Sequence, residues 1–420
     1  MAIVWGIVKF LILISFLVLI HEGGHFLTAK AVGMKVNQFA IGFGPKIWSH
    51  QGKETLYSIR WIPLGGFVAL EGEEDDSDDP RAFNNKPVWT RFLVVVMGAT
   101  VNIVFAIVAL FCISVSVGKF QTTIVESLTP GSAGELAGIQ VNDEVYAING
   151  RRMRTLDSIT EYLRRNKEKP VTVTVKRNGQ KIDYFLTPDV EETGLIGVNF
   201  EENSTIISNV QKDSPAELAG IEKGDKILAL NDVAMKDTNE IVTKISESTN
   251  VPVTLTLQRG EDELVIPVTP VCPDILKKYV IGFYGSVSED KVALVGHSVW
   301  QSLVEVEKMV NQVVELLTGQ IDTKYLSGPV GIATVVGQTN SGSAFLTLLI
   351  FISLNLGIVN LIPLPPLDGG KLVFLLIEGV TRKKVSTKVE MYFQMAGMFL
   401  LIALMVYVTF NDITRQMSIF

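Results

Sequence analysis

Two histidines flank a glutamate and two glycines in the segment His21-Glu22-Gly23-Gly24-His25. In a helix the imidazoles of His21 and His25 lie one turn apart on the same face, with roughly 6 Å between Cβ atoms. That spacing suits two nitrogen ligands of one Zn²⁺, with Glu22 beside them as the base that takes a proton from the attacking water. A catalytic zinc takes three protein ligands and keeps one position open. The other histidines, His50 and His297, have no helical partner and read as surface or interface residues. The better third ligand is a carboxylate, Asp368, 343 positions after His25 (368 − 25) in NLGIVNLIPLPPLDGGKLVFLLIEGV. There Pro363, Pro365 and Pro366 interrupt an apolar helix, because proline cannot continue the hydrogen-bond ladder. Non-helical backbone at membrane depth is buried in protein or lines a wet cavity, so the break predicts a polar cavity holding Asp368. The alternative is that Asp368 only caps the restarted helix. Asn360, before the break, can donate to a carbonyl oxygen as negative charge develops on it. Gly23 and Gly24 each cost a helix about 1 kcal/mol relative to Ala, which suggests room for a second helix or for substrate backbone.

The elements that must position these groups are mostly lipid-facing. The chain has 420 residues, 47% hydrophobic and 19% charged, which leans toward a membrane protein of two or three domains. A net charge of −7 without a basic stripe argues against nucleic-acid binding. Cys112 and Cys272 are too few for a disulfide framework and have no Cys-x-x-Cys company. Four segments are apolar enough to span: 1–27, 92–118, 345–380 (the broken one) and 391–410. A cleavable signal is the alternative for the first, but its charged n-region is missing and cleavage near Ala31 would discard both histidines. Lys and Arg crowd 28–91 and the connection holding Arg382, Lys383, Lys384 and Lys388, so both flanks are expected in the cytoplasm. The termini and the large insert after the second span then fall on the opposite side.

Between the first two spans, VNQFAIGFGPKIW and TLYSIRWIPLGGFVAL alternate like strands with glycine punctuation and are read as membrane-associated β-hairpins within 28–91. The acidic run Glu71 to Pro80 reads as a solvated loop, with a cation site as the alternative. Beyond the second span lies a repeat: Gly131 to Gly150 aligns with Asp213 to Asp232. Each copy reads as short helix, turn and strand, followed by a longer helix and a β-rich stretch. The pattern resembles PDZ domains, placed at 119–193 and 194–274, which bind extended peptides or carboxyl termini at an open sheet edge. Gly194, Leu195, Ile196, Gly197 and Val198 look like the carboxylate-receiving loop of the second copy. A role as mere spacers stays open. Residues 275–344 hold an amphipathic helix with a broad apolar stripe, suited either to the membrane surface or to the PDZ pair.

With HEGGH on a first span, LDGG on a broken third and a PDZ pair between, the chain resembles the site-2 protease family of intramembrane zinc metalloproteases. The resemblance covers nearly the whole chain, including IGFGP, AFNNKPVWTR and LSGPVGIA. The fold class it implies is an α-helical polytopic membrane protein of four transmembrane helices, with membrane-associated β-hairpins and two inserted α+β PDZ domains. It implies Zn²⁺ held by His21, His25 and Asp368, Glu22 as general base, and substrate backbone at Asn360. The turns Gly42, Phe43, Gly44 and Gly65, Gly66, Phe67 would belong to a re-entrant β-element that pairs with an unwound substrate. Asn84 and Asn85 would match a loop that handles substrate. The implied partner is a single-span membrane protein in a bacterial inner membrane: an anti-sigma factor already trimmed on its outer side during envelope stress, with leftover signal peptides as further substrates. The PDZ pair would act as size filter or reader of the new carboxyl terminus. An aromatic commonly follows the glutamate in the family pattern; Gly23 stands there in this chain, which bears on helix geometry and substrate preference. Two rivals are a membrane-anchored PDZ adaptor with a decayed metal site and a zinc transporter. The intact polar set counts against the first, and the lack of an ionisable relay across the spans counts against the second.

Overall fold

A computed structural model describes residues 2–73, 77–201, 204–321, 326–339 and 341–417. The N-terminal part runs through α1 (Ala2–Ala31), β1 (Val36–Gln51), β2 (Leu56–Leu70) and α2 (Val88–Val117). Then follow β3 (Phe120–Leu128), α3 (Ala133–Ala137), β4 (Glu144–Ile148), β5 (Arg151–Arg152), α4 (Leu156–Asn166), β6 (Val171–Arg177), β7 (Gln180–Leu186) and β8 (Asp189–Glu191). A second set comprises β9 (Val198–Phe200), β10 (Ile207–Val210), α5 (Pro215–Leu218), β11 (Lys226–Leu230), β12 (Val233–Ala234), α6 (Thr238–Glu247), β13 (Val253–Arg259) and β14 (Asp262–Val268). The chain closes with β15 (Lys278–Val280), β16 (Phe283–Ser288), α7 (Lys291–Leu317), α8 (Pro329–Gln338), α9 (Gly342–Asn360), α10 (Asp368–Thr381) and α11 (Thr387–Met417). It divides into two compact units, one built from 1–118 with 301–409 and the other chiefly from 119–300.

In the first unit, Trp5–Ala31, Val88–Val117, Gly342–Asn360 and Lys388–Phe410 are long and apolar enough to cross a membrane. Lipid offers helices no hydrophobic drive to associate, so they pack through small residues that admit close backbone approach. Gly24 of α1 meets the Met97 carbonyl of α2, Gly357 of α9 meets the Ala99 carbonyl of α2, and Gly6 of α1 lies against Gly337 of α8. The third apolar segment is two helices: α9 ends at Asn360, the proline turn follows, and α10 restarts at Asp368. The turn is stitched by backbone bonds from Leu364 N to Ile362 O and from Leu367 N to Leu364 O. Leu13, Leu17, Val336 and Leu349 form one buried cluster, and Ala106, Met309, Ile350, Leu354 and Ile358 another. The second cluster takes in Val306 and Val313, so part of the apolar stripe of α7 packs on α2 and α9, while Val310, Val314 and Leu317 are exposed. Within the segment expected to be helix and loop, Pro329–Gln338 forms a further helix, α8.

β1 and β2 are long strands that bend, and residues 38–41 pair twice. Gln38 to Ile41 face Ala69 to Gly66 on one side and Leu56 to Ile59 on the other, while Trp48 to Gln51 also pair with Ile59 to Leu56. The result is four short segments side by side, with 66–69 at one border and no further β partner there among the described residues. Residues 74–76 of the acidic run lie outside the described residues. Within the run, Glu71, Glu73 and Asp79 are engaged by Lys35 and Lys371, as suits a tethered loop.

The second unit corrects the domain boundaries. Its first sheet runs β16-β3-β4-β6-β7, and β15 pairs with β8, so residues 278–288 belong to the first PDZ-like module rather than to a post-PDZ segment. The second module, with β12-β11-β13-β14 and β10-β9, is therefore inserted into the first instead of following it. The repeat is exact in its internal ties. Ser132 and Ser214 cap α3 and α5, Arg177 and Arg259 grip buried Asp143 and Asp225 at 2.7 Å, and Asn149 and Asn231 accept from Thr172 and Thr254 amides at 2.8 Å.

Candidate metal centre

Helix α1 continues unbroken through HEGGH, which puts His21 and His25 on one face in its C-terminal half. The restart of α10 after the proline turn brings Asp368 to the same point. His21 Nε2 and His25 Nε2 lie 3.2 and 3.3 Å from Asp368 Oδ2, and 3.3 Å from each other. Ligands about 2.0–2.1 Å from a tetrahedral zinc stand about 3.3–3.4 Å apart, so this triangle has the size of three zinc ligands. Asp368 Oδ2 is buried and, among the described residues, has no conventional hydrogen-bond partner, as expected of an atom that faces a cation. Two imidazole nitrogens and one carboxylate are also the donor set of catalytic rather than structural zinc sites, because they leave a fourth position.

α2 supplies the supporting wall. His25 Nδ1 lies 2.9 Å from the Val94 carbonyl, and Gly98 leaves room for the ring. Glu22 follows His21 and lies beside the border strand: a Cβ on Gly66 would stand 3.1 Å from Glu22 Cγ. Asn360 ends α9 partly exposed, and among the described residues its amide has no hydrogen-bond partner.

The remaining expected site residues are spread over other places. Gly42 has φ +84°, and a Cβ there would meet the Ile62 carbonyl at 2.6 Å; Gly65, at φ +106°, lies under the Phe43 ring. Phe43 and Phe67 stack with centroids 6.4 Å apart, and Gly44 O accepts from Arg60 at 2.9 Å. Asn84 and Asn85 line a separate cavity of ≈ 700 Å³ with Lys86, Arg91, Glu378 and Lys384. The Asn85 amide is already spent on the Ser77 and Asp79 carbonyls, a structural tie on the acidic loop. In the second PDZ-like module, Gly194 donates to Ser246 O, Leu195 bridges to Val271 and Ile196 is buried. Gly197 at φ +81° turns the chain into Val198 and β9. Ile196 O and Gly197 O accept from Ala216 and Gln211; in the first module Ile281 O and Gly282 O accept from Gly134 and Thr129 in the same way. Tyr279 to Phe283 is thus the equivalent loop of the first module, which sequence reading missed. It also missed Asn102, an amide buried among apolar residues of α2 beside His21.

The sequence profile of peptidase family M50 matches residues 9–404. The chain belongs to this family. It is accordingly an intramembrane zinc metalloprotease of the site-2 type, a multi-pass membrane protein that works with Zn²⁺. Among similar proteins, the regulator of sigma-W protease RasP of Bacillus subtilis is 32% identical, with 97% of this chain and 98% of that protein aligned. The regulator of sigma E protease of Haemophilus influenzae is 31% identical over 99% of this M50 chain and 100% of its own length. That of Salmonella typhi is 29% identical over 99% and 100%. A solved HtrA-type protease, AlgW with a decapeptide, aligns with 25% of this chain and 42% of its own at 12% identity and a TM-score of 0.18.

Proposed function

We propose that His21, His25 and Asp368 hold the catalytic zinc and that Glu22 is the general base for hydrolysis of peptide bonds in a substrate's transmembrane segment. The observation that carries this reading is the triangle of ligand atoms with sides of 3.2–3.3 Å in the C-terminal half of α1. Bound there, zinc would supply a Lewis acid for the scissile carbonyl and a more acidic water. The chain's own residues do the rest. Glu22 takes the proton of the attacking water and returns it to the leaving amine. Asn360, whose amide has no partner among the described residues, donates to substrate backbone.

A helical substrate keeps its carbonyls tied up internally and must unwind before it is cut. The border segment 66–69, open on one side and beside Glu22, offers backbone groups with which an unwound chain pairs as an added strand. Gly42 to Gly44 and Gly65 to Phe67 shape the turns of that platform. Asn84 and Asn85 act through the loop they anchor. The loop at Gly194 to Val198 receives peptide carboxyl termini, or the paired modules exclude untrimmed proteins. The relatives' names, regulators of sigma E and sigma W, support an anti-sigma factor as substrate, with remnant signal peptides as a second class. The Lys and Arg flanks support a cytoplasmic active site, with both termini and the PDZ-like modules across the bacterial inner membrane.

The test is cleavage of a tagged single-span membrane protein in liposomes by the wild type and by Glu22→Gln, with bound zinc quantified in both. The expected result is one zinc in each and cleavage by the wild type alone; turnover by Glu22→Gln overturns the assignment.

A further inference from the structure

The two imidazoles of the metal centre are supported differently. His25 presents Nε2 to Asp368 while its Nδ1 meets the Val94 carbonyl, a group that only accepts, so its proton sits on Nδ1. His21 also presents Nε2 to Asp368, and its Nδ1 faces the side-chain amide of Asn102, with Nδ2 at 3.5 Å. Asn102 is fully buried, two turns after Val94 on α2, and its Oδ1 has no partner among the described residues.

A histidine that gives Nε2 to a metal carries its proton on Nδ1, and that proton needs an acceptor. An amide nitrogen is a donor and cannot serve. The amide oxygen can, and it is the atom left without a partner. A half-turn of the amide exchanges the two atoms and satisfies both groups at once. The backbone beneath is fixed independently, since Ser353 Oγ of α9 donates to the Asn102 carbonyl at 3.0 Å.

We infer that Asn102 is a positioning residue: its Oδ1 accepts the Nδ1 proton of His21 and holds that ring in the tautomer and orientation of a metal ligand. The inference rests on the reading of His21, His25 and Asp368 as the zinc ligands. It gives α2 a defined part in the chemistry, with a backbone carbonyl serving one histidine and a side-chain oxygen serving the other. Asn102 touches no reacting atom.

The experiment compares the full-length wild type with Asn102→Asp and Asn102→Leu, both close to asparagine in volume. Zinc affinity is measured by chelator competition, and the unfolding midpoint of each metal-free protein is recorded alongside. Asn102→Leu, with no acceptor, is expected to bind zinc about 10–100-fold more weakly, the usual effect of losing such a partner. Asn102→Asp, which only accepts, is expected to stay within about threefold of the wild type or to bind more tightly, as carboxylate–histidine–zinc arrangements do. Equal weakening by both substitutions, or wild-type affinity in Asn102→Leu, overturns the inference. If Asn102→Leu does not fold, Asn102→Asp still decides, because loss of zinc there contradicts an acceptor role. A wild type that binds no zinc overturns the metal reading itself. A zinc-binding wild type with unresponsive Asn102 variants overturns this assignment alone.

Discussion

A Cβ placed on Gly98 of α2 would stand 2.2 Å from Nε2 of His25. With Gly24 of α1 against the Met97 carbonyl, this lets the two helices close until an imidazole rests on bare backbone. Neither position needs a positive φ, so the demand is for space alone.

Gly98→Ala should therefore push His25 out of the centre, with bound zinc lost and cleavage down by roughly 100-fold or more. Among the described residues, Gly23 has nothing within 4 Å of its missing Cβ. Gly23→Ala should leave zinc and rate within about twofold and stabilise α1 by about 1 kcal/mol. Metal content and turnover of a tagged substrate, measured on both variants, check the contrast.

Arg91 of α2 and Glu378 of α10 meet in a two-pronged pair, at 3.0 and 2.6 Å, with both side chains largely buried. Removing one partner strands a buried charge, which costs about 3–5 kcal/mol. Arg91→Leu and Glu378→Leu should each destabilise the membrane unit by about that much, and the double substitution by less than either. Unfolding in mixed micelles gives the cycle; additive losses would contradict it.

Asp143 and Asp225 report on acid. Burial pushes both carboxyls up, but the guanidiniums of Arg177 and Arg259 and the amides of Gln140 and Glu222 outweigh it, leaving both below the usual aspartate range. A carboxyl lowered by folding stabilises fully above its unfolded value of about 3.9, and that contribution fades as pH falls through the folded value. The second unit should hold its stability from neutral pH down to about 4 and lose it below. Asp143→Asn should be weaker than the wild type at pH 7 and approach it at pH 3. Amide exchange in β4, β6, β11 and β13 across that range is the measurement.

The inserted second module should be removable. β8 and β15 are hydrogen-bonded neighbours, Glu191 with Lys278 and Asp189 with Val280, so the insert leaves and returns at one place. Replacing 194–274 by a short Gly-Ser linker should keep the first module folded, whereas deleting 275–288 should unfold it by removing β16, Tyr279 and Ile281. Limited proteolysis of the full membrane protein distinguishes the two.

Much of this architecture was legible in residue order. Apolar runs of about 20 residues mark spans, a histidine pair four apart marks one helix face, and prolines mark where α9 stops. The insertion was not legible, because the repeat of GSAGELAGIQ in DSPAELAGIE says nothing about which strand completes which sheet. The clue was YVIGFYG at 279–285, which parallels GLIGVNF at 194–200 but comes after both repeats rather than before its own. Asn102 had a signal too, a lone amide in the apolar run ATVNIVF, since polar groups at membrane depth are costly and usually functional. Attention to ionisable groups alone passed over it. The stripe on α7 was visible, but amphipathicity does not name what a face is buried against.

The long chain between α1 and α10 also sets an order in time. During synthesis, His21 and His25 leave the ribosome well before Asp368, by about 20–70 s at the usual rate of about 5–20 residues per second. With Asp368 as third ligand, the nascent chain carries only two of the three groups throughout that interval. On that reading hydrolytic competence waits for Asp368 to emerge, and neighbouring spans threading into the same membrane would be spared until then.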